Sequence, residues 1–361
     1  MTMHVAVADK KTRARMECCH YAWAAVEVVL LARRLSLNPN PNNLYLVWGN
    51  ALERQAVFKI LASNGCDVDF ADEVPNVDVI MGRYSLIIID YDTMREPATA
   101  FLRELERRPS DGRPIVLMLS ASKSKSDLYE LLSTNAFTNL LAKDTEVNSV
   151  ELLVTVQKLL RDDIFGFDKY LAWGIHPQHR VVHGSKDKGP LVEELETYLR
   201  DIGCNKRLAT SARTVADELI MNAVYNAPVD GAGVPKYASR SRSEGVMLEP
   251  NERAQLSYAC DGRYLALSVA DRFGRLRRET VVNYLRRCFV GGEAQIEDKD
   301  GGAGLGLYYI FESLNHFVVN IAPNQKTEII GLIDISGTYR NFSEKSKSLN
   351  IFLQRAEGVH R

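Results

Sequence analysis

Three polar residues share one face of a predicted helix in the second half of the chain. Glu218, Asn222 and Asn226 are spaced four residues apart, which places them one above another along a helix. Apolar residues alternate with them, so the stripe fits a polar seam beneath a bound ligand. It also fits the solvated face of an ordinary amphipathic helix. The stripe alone does not decide between a ligand site and a surface.

A glycine-rich segment further along the chain indicates an anion site. Gly302, Gly304 and Gly306 lie in a run of small and apolar residues that opens a predicted helix. Free N–H groups at a helix N-terminus and the helix dipole both favour anions, so such a segment can hold phosphate groups. By itself, the same pattern is also typical of a flexible turn.

A second set of candidate residues lies at the ends of predicted strands in the first half. Asp90, Ser120 and Lys143 each follow a short apolar strand. Such strands, alternating with helices, predict a parallel sheet that is covered on both faces. The functional crevice of such a sheet lies at the carboxyl ends of the strands, so we expect these three side chains to lie close together.

The composition of the chain predicts globular domains. The net charge of -1 over 361 residues argues against a protein that binds nucleic acid through a general basic excess. The most apolar stretch, 21–32, is interrupted by Glu27 and is too short to cross a bilayer, so we interpret it as an amphipathic helix. Six scattered cysteines without a C-x-x-C pair predict reduced thiols and a cytoplasmic protein. We therefore expect neither nucleic acid nor a membrane as a partner.

The order of predicted elements divides the chain into five segments. We expect an N-terminal helical extension over 1–43, which a cluster of Asn and Pro residues separates from the rest. An α/β unit with a parallel sheet follows over 44–162, and a polar linker over 163–188. A second unit of helices and strands spans 189–340, and a C-terminal tail spans 341–361.

The motifs of the second unit, in their order, resemble the N, G1 and G2 boxes of the GHKL ATPases, which include gyrase and histidine kinases. The resemblance covers about 190–335 and implies a two-layer α/β sandwich that binds ATP and Mg²⁺. It implies that Glu218 is the general base, that Asn222 binds Mg²⁺ and that Asp271 accepts a hydrogen bond from the adenine amino group. Asn226, one turn beyond Asn222, is expected to join the nucleotide site.

The glycines complete this resemblance, with one departure. Gly302, Gly304 and Gly306 match the glycines that lie beside the phosphates, and 290–301 matches the ATP lid. Gly274 follows Asp271 and is expected to shape the nucleotide site. The family pattern has glycine where this chain has Phe273 and Arg275, so the backbone beside the adenine must differ.

The first unit resembles the receiver domain of bacterial response regulators, which has a flavodoxin-like, doubly wound parallel sheet. The resemblance implies that Asp90 accepts phosphate and that Ser120 and Lys143 hold the phosphoryl oxygens. The acidic pair that binds Mg²⁺ in receivers is replaced by 48–50, Trp-Gly-Asn, which has no carboxylate. We therefore expect a pseudo-receiver for dimerisation or partner docking, in which Asp90 and Lys143 could form a simple ion pair.

The layout of the two units is most similar to that of anti-sigma-factor serine kinases, because one helix at 191–202 precedes the N box. This similarity implies an ATP-dependent bacterial signal-transduction regulator, a protein serine kinase or ATPase with a degenerate receiver as its input or docking module. Its partner would be a protein such as a sigma factor or its antagonist, and we expect a homodimer. The alternatives are an atypical histidine kinase and a non-catalytic scaffold that senses nucleotide.

Overall fold

The fold is mixed α/β, with one large sheet and helices on both of its faces. The computed structural model describes residues 42–109, 112–134, 136–143, 147–291, 303–337 and 339–355. The helix expected near the N-terminus and most of the expected ATP lid lie outside the described residues.

Eleven strands of the described chain form a single sheet in the order β2-β1-β3-β4-β5-β11-β9-β10-β8-β7-β6. The strands are β1 Asn43–Val47, β2 Asp67–Ala71, β3 Leu86–Asp90, β4 Ile115–Ser120, β5 Asn139–Ala142, β6 Gln178–Val182, β7 Ala254–Cys260, β8 Tyr264–Asp271, β9 His316–Ala322, β10 Lys326–Asp334 and β11 Ser348–Leu353.

Asparagine side chains begin several of the helices. Asn50, Asn148 and Asn205 each accept a hydrogen bond from a backbone N–H group in the first turn of the helix that follows. The α-helices are α1 Ala51–Ser63, α2 Val77–Ile80, α3 Tyr91–Arg107, α4 Lys125–Leu132, α5 Ser149–Arg161, α6 Lys188–Asp201, α7 Lys206–Met221, α8 Arg278–Gly291, α9 Ala303–Glu312 and α10 Tyr339–Glu344.

The first five strands are parallel to one another. All five residues of β3 are buried, as expected for a continuous apolar strand in a sheet covered on both faces. Asp90 and Ser120 end β3 and β4, and Lys143 directly follows β5. The three predicted site residues therefore lie at the same edge of the sheet.

The remaining strands form the second half of the sheet, which is largely antiparallel. The pairs β6–β7, β7–β8, β8–β10 and β10–β9 are antiparallel, whereas β11 is parallel to β9. β11 also pairs with β5 in antiparallel register, and the buried side chain of Asn139 donates a hydrogen bond of 3.1 Å to that of Asn350. The two halves are thus joined by main-chain hydrogen bonds.

Two strands lie outside the two expected units, and only the second of them, at the apolar run 349–352, is predicted by the sequence. β6 lies within the expected linker 163–188, and β11 lies within the expected C-terminal tail. β6 is an edge strand whose residues are mostly exposed, so its sequence lacks the apolar run that marks a central strand.

The core consists of two apolar layers, one on each face of the sheet. Each layer contains residues of both halves: Ile87 and Val215 lie in one layer, and Leu46 and Phe352 lie in the other. In the described part of the chain, no helix is both long enough and apolar enough to cross a membrane.

Candidate functional site

A cavity of about 300 Å³ lies between α7, α8, β8 and β10. Its polar lining includes three of the predicted site residues, Asn222, Asn226 and Asp271, together with Thr327. Leucine, valine and isoleucine side chains of the same elements form much of the remaining wall. A mostly apolar cavity with a few converging polar groups is typical of small-molecule sites.

Asp271 ends β8 and points one carboxylate oxygen back at its own turn. Its Oδ1 accepts hydrogen bonds from the backbone N–H groups of Phe273, at 2.8 Å, and Gly274, at 3.3 Å. Burial raises the pKa of Asp271, although these two hydrogen bonds and the contacts with Thr327 act in the opposite direction. The side chain is therefore held in a fixed orientation at the cavity wall, and its charge is incompletely stabilised by the protein.

Thr327 lies directly opposite Asp271 in the ladder between β8 and β10. Its side chain is buried, and the hydroxyl lies close to the carboxylate. Its hydroxyl and its backbone N–H both act to lower the pKa of Asp271, although the hydroxyl contact falls short of normal hydrogen-bond geometry. A buried hydroxyl that makes only a poor contact of this kind can gain a better partner when a ligand or a water molecule binds. Asp271 and Thr327 together present an acceptor and a donor to the cavity.

The predicted polar stripe changes its helical geometry at Asn222. The α-helix α7 ends at Met221, and 222–226 form a π turn in which the backbone N–H of Ala227 bonds to the carbonyl of Asn222. The side chain of Asn226 still reaches that of Asn222, donating a hydrogen bond of 2.9 Å to Oδ1. Turns of this kind occur frequently at functional sites, and this one turns both amides towards the cavity.

Glu218 lies one helical turn before Asn222, at the edge of the cavity next to α9. Its side chain is 24% exposed, and Oε2 packs so closely against Gly306 that a Cβ atom there would collide with it. The neighbouring carboxylate of Asp217 behaves differently, because it forms an ion pair of 3.0 Å with Lys188 on α6. Of the two adjacent carboxylates, only Glu218 therefore faces α9.

The predicted glycines lie in two different parts of the structure, at the start of α9 and in the turn after β8. Gly304 and Gly306 lie in the first turns of α9, whereas Gly302 lies outside the described residues. Gly274 is buried with a φ of +58°, and a Cβ atom there would collide with the carbonyl oxygen of Ala322. Only glycine fits this left-handed turn without strain, so Gly274 supports the turn that holds Asp271.

Arg275 stands where the family pattern has its second glycine. Its side chain lines the cavity and donates hydrogen bonds to Oδ1 of Asn324, at 2.9 Å, and to the carbonyl of Gly233, at 3.4 Å. The Arg275 side chain therefore links the turn after β9 to the loop over 227–253.

The strand-end crevice of the first half contains a closed ion cluster. The Lys143 ammonium lies 3.1 and 3.2 Å from the two carboxylate oxygens of Asp90, which is fully buried. Thr93 donates a further hydrogen bond of 2.9 Å to Asp90. Ser120 is close by but donates to Asp92, at 2.6 Å. The structure thus brings Asp90 and Lys143 into an ion pair and directs the Ser120 hydroxyl elsewhere.

A carboxylate from α1 enters this cluster, although 48–50 contains none. Glu53 lies 2.7 Å from the Lys143 ammonium and accepts a hydrogen bond of 3.0 Å from the indole of Trp48. The ammonium also lies 4.8 Å from the centroid of the Trp48 ring. Burial acts to lower the pKa of Lys143, but Glu53 and Asp90 outweigh it and raise that pKa. A protonated Lys143 is therefore shared between the two carboxylates and compensates one of their two charges.

Sequence reasoning missed Thr327 and Glu53 for different reasons. Thr327 becomes visible only when the register of β8 and β10 is known, since it lies 56 positions after Asp271 in sequence. Glu53 could have been found from its place in the first turn of a helix that begins at the predicted crevice. Among the described residues, no group of three or more His, Cys, Asp or Glu side chains is arranged to hold a metal ion.

The comparisons with known proteins identify no relative. No family model matches the chain, and a search of curated proteins finds no significant match.

Proposed function

We propose that the second half of the chain binds ATP with Mg²⁺ in the cavity beside Asp271, as a GHKL-type nucleotide site. The observation that carries this proposal is the pairing of Asp271 with Thr327 inside a mostly apolar cavity of about 300 Å³. The second carboxylate oxygen of Asp271 can accept a hydrogen bond from an exocyclic amino group, and the apolar walls suit a flat aromatic base. The polar stripe of α7 and the glycines at the start of α9 would supply the rest of the nucleotide site.

The described residues fit the two proposed ligands. The hydroxyl of Thr327, which makes only a poor contact with Asp271, and the second oxygen of Asp271 would hold the adenine. Asn222 would contribute an amide oxygen to Mg²⁺, and the nucleotide phosphates would provide most of the other ligands, as is usual for this ion. Bound ATP would supply a transferable phosphoryl group, and Mg²⁺ would neutralise its charge.

The chain's own groups have separate roles in this proposal. Asp271 and Thr327 orient the base, and Gly274 keeps the Asp271 turn in place. Glu218 can accept a proton from an attacking hydroxyl or water at the other end of the site. The absence of a Cβ atom at Gly306 leaves room for this carboxylate.

We further propose that the first half is a pseudo-receiver that docks a protein partner in bacterial signal transduction. The parallel strand order 2-1-3-4-5 supports a flavodoxin-like arrangement. Asp90 is buried and engaged by Lys143 and Thr93, which leaves no free carboxylate oxygen for phosphoryl transfer. The whole protein would then be an ATP-dependent regulator of the anti-sigma serine kinase type, acting on a protein partner.

Calorimetry on the full chain tests the nucleotide site. We expect ATP to bind with Mg²⁺ and adenosine to bind more weakly, while GTP fails because guanine offers an acceptor where adenine has its amino group. The full chain is the proper sample, because removing the first half would expose the edge of β11. Absence of binding by every adenine nucleotide would overturn the proposal.

The second candidate function is a scaffold that binds nucleotide without turning it over. The strand-end cluster favours it, because Lys143 pairs with Asp90, the predicted phosphoacceptor of the first half, and is itself held by Glu53. Phosphate release and phosphoryl transfer to a partner protein distinguish a kinase or ATPase from this scaffold.

A further inference from the structure

Arg242 belongs to the loop over 227–253, and no sequence motif marks it. Its Nη1 lies 3.8 Å from Oε2 of Glu218, so the two side chains form an ion pair between this loop and α7. Arg242 is 41% exposed. The distance is long for an ion pair, and an exposed pair of this kind contributes little to stability. A better hydrogen-bond acceptor could therefore displace Glu218 from Arg242 at a small cost in free energy.

The backbone around Arg242 is anchored to the same turn that carries the cavity amides. The hydroxyl of buried Tyr225, within the π turn 222–226, donates a hydrogen bond of 2.6 Å to the carbonyl of Glu244. Its contact with the carbonyl of Arg242 is longer, at 3.5 Å. The loop position of Arg242 is therefore fixed relative to Asn222 and Asn226.

A second anchor holds the far side of this loop. The N–H of Val246 donates to Oγ of Ser185, at 2.9 Å, and the N–H of Ser185 donates back to the carbonyl of Val246, at 2.9 Å. Gly184 packs against this backbone without room for a Cβ atom. Anchored on both sides, the loop holds the Arg242 guanidinium beside Glu218.

Arg242 lies beside Glu218, which we place at the opposite end of the proposed site from Asp271. Asp271 marks the end that would take adenine, whereas Glu218 packs against Gly306 in the first turns of α9. A guanidinium matches the geometry of a phosphate group, with two parallel donors for two oxygens, and such charge-assisted pairs are strong. A terminal phosphate in this place would be a better acceptor than Glu218 at 3.8 Å.

We propose that Arg242 is a specificity-determining residue that recognises the terminal phosphate of the nucleotide and thereby selects ATP over ADP and adenosine. In the absence of nucleotide it pairs with Glu218, and when ATP binds it exchanges this carboxylate for phosphate oxygens. The exchange leaves Glu218 free to act as a base. This inference rests on the proposed nucleotide site.

Calorimetric titration of the full chain with ATP, ADP and adenosine, each with Mg²⁺, tests the inference. We expect Arg242→Ala to lose about 10- to 100-fold in ATP affinity, the usual scale for charge-assisted hydrogen bonds, and to leave adenosine affinity within about twofold of wild type. Arg242→Lys keeps the charge but not the paired donors, so its ATP affinity should lie between those of wild type and Arg242→Ala. Arg240→Ala is the matched control, since Arg240 lies in the same loop and stacks on the ring of Tyr237.

The possible results separate this inference from the proposed function. If wild type binds ATP and Arg242→Ala binds it equally well, Arg242 does not read the phosphate, although the nucleotide site stands. Equal losses for ATP and adenosine would also overturn the inference, because they would show a general change in the shape of the site. If wild type binds none of the three ligands, the nucleotide site itself is wrong.

Discussion

Asp271 and Thr327 face each other across the ladder between β8 and β10. The pair places a carboxylate next to a buried hydroxyl whose contact with it falls short of normal hydrogen-bond geometry. Burial raises the pKa of Asp271, which means that the folded protein holds this charge at a cost in free energy. Such a cost is expected where a side chain is kept for binding and not for stability.

Asp271→Asn should weaken nucleotide binding and stabilise the fold at pH 7. An asparagine can keep the Oδ1 contacts to Phe273 and Gly274. Its amino group would then face the amino group of adenine, and two donors cannot form a hydrogen bond with each other. We expect a loss of about 1–3 kcal/mol in adenosine binding. A raised folded pKa means that ionisation opposes folding above that pKa, so removing the charge should raise the melting temperature.

Asp261→Asn provides a matched control for this substitution. Oδ1 of Asp261 also accepts two backbone hydrogen bonds, but it does so in the turn before β8, away from the cavity. Calorimetry should show unchanged adenosine binding for this control. Unchanged binding for Asp271→Asn as well would remove Asp271 from the nucleotide site.

Incubation with acetyl phosphate and Mg²⁺ should leave Asp90 unmodified. Both carboxylate oxygens of Asp90 contact Lys143, one also accepts from Thr93, and the side chain has no exposed surface. A carboxylate in this state cannot approach a phosphoryl donor without breaking the cluster. Intact-mass measurement should show no phosphate adduct. A stoichiometric adduct that disappears in Asp90→Asn would instead identify a working receiver.

The stability of the protein should depend on pH through Lys158 on α5. Its ammonium lies between the rings of Tyr170 and Phe352, at 4.7 and 4.9 Å from their centroids, and burial lowers the pKa of Lys158 to about 7. The unfolded chain keeps this amine protonated to about pH 10. Between these two pKa values the unfolded state binds more protons than the folded state. The free energy of unfolding therefore rises by up to about 1.4 kcal/mol per pH unit.

Urea unfolding at pH 6.5, 8 and 9 measures this effect. The advantage of Lys158→Met over wild type should be greatest at pH 6.5 and should shrink as pH rises, because only the wild type gains stability when Lys158 loses its proton. Lys59→Met, at an exposed position on α1, controls for the loss of an amine. If the difference in unfolding free energy between Lys158→Met and wild type is the same at all three pH values, the pKa of Lys158 is not lowered in the folded protein.

Part of this structure could be read from the sequence, and the rest depended on register and loop geometry. The apolar runs of β3 and β4 predicted buried strands, and the shared edge of Asp90 and Lys143 followed from their places in that sheet. Thr327 reaches the cavity only through the pairing of two strands far apart in sequence. Arg242 lies in a loop without periodicity, where no local pattern predicts which side chain meets Glu218.

The joining of the two halves was also not predictable from local patterns. β11 is a short strand near the end of the chain, and its sequence does not reveal that it pairs with both β5 and β9. Pairing partners depend on the whole sheet, since apolar strands offer similar hydrogen-bonding edges. The two halves were therefore expected as separate units, whereas they share one sheet.

Glu218→Gln and Asn222→Ala should separate turnover from binding. Glu218 packs against Gly306, and its carboxylate acts only on an attacking hydroxyl or water, so Glu218→Gln should bind ATP nearly as well as wild type. Its turnover should fall by about 10²–10⁴, the usual contribution of a general base. Asn222→Ala removes a proposed Mg²⁺ ligand and the hydrogen bond from Asn226, so both affinity and turnover should fall.

Asp217→Asn is the control for the first of these variants, because Asp217 is the adjacent carboxylate and pairs with Lys188 on α6. It should keep both ATP affinity and turnover if Glu218 alone serves as the base. Calorimetry with Mg-ATP gives the affinity, and phosphate release with each candidate protein partner gives the turnover. If the wild type turns over no ATP with any partner, while Glu218→Gln still recruits a partner when ATP is bound, the protein is a nucleotide-sensing scaffold. In that case the Glu218 carboxylate would serve to hold Arg242 in the absence of nucleotide, and the kinase assignment would be wrong.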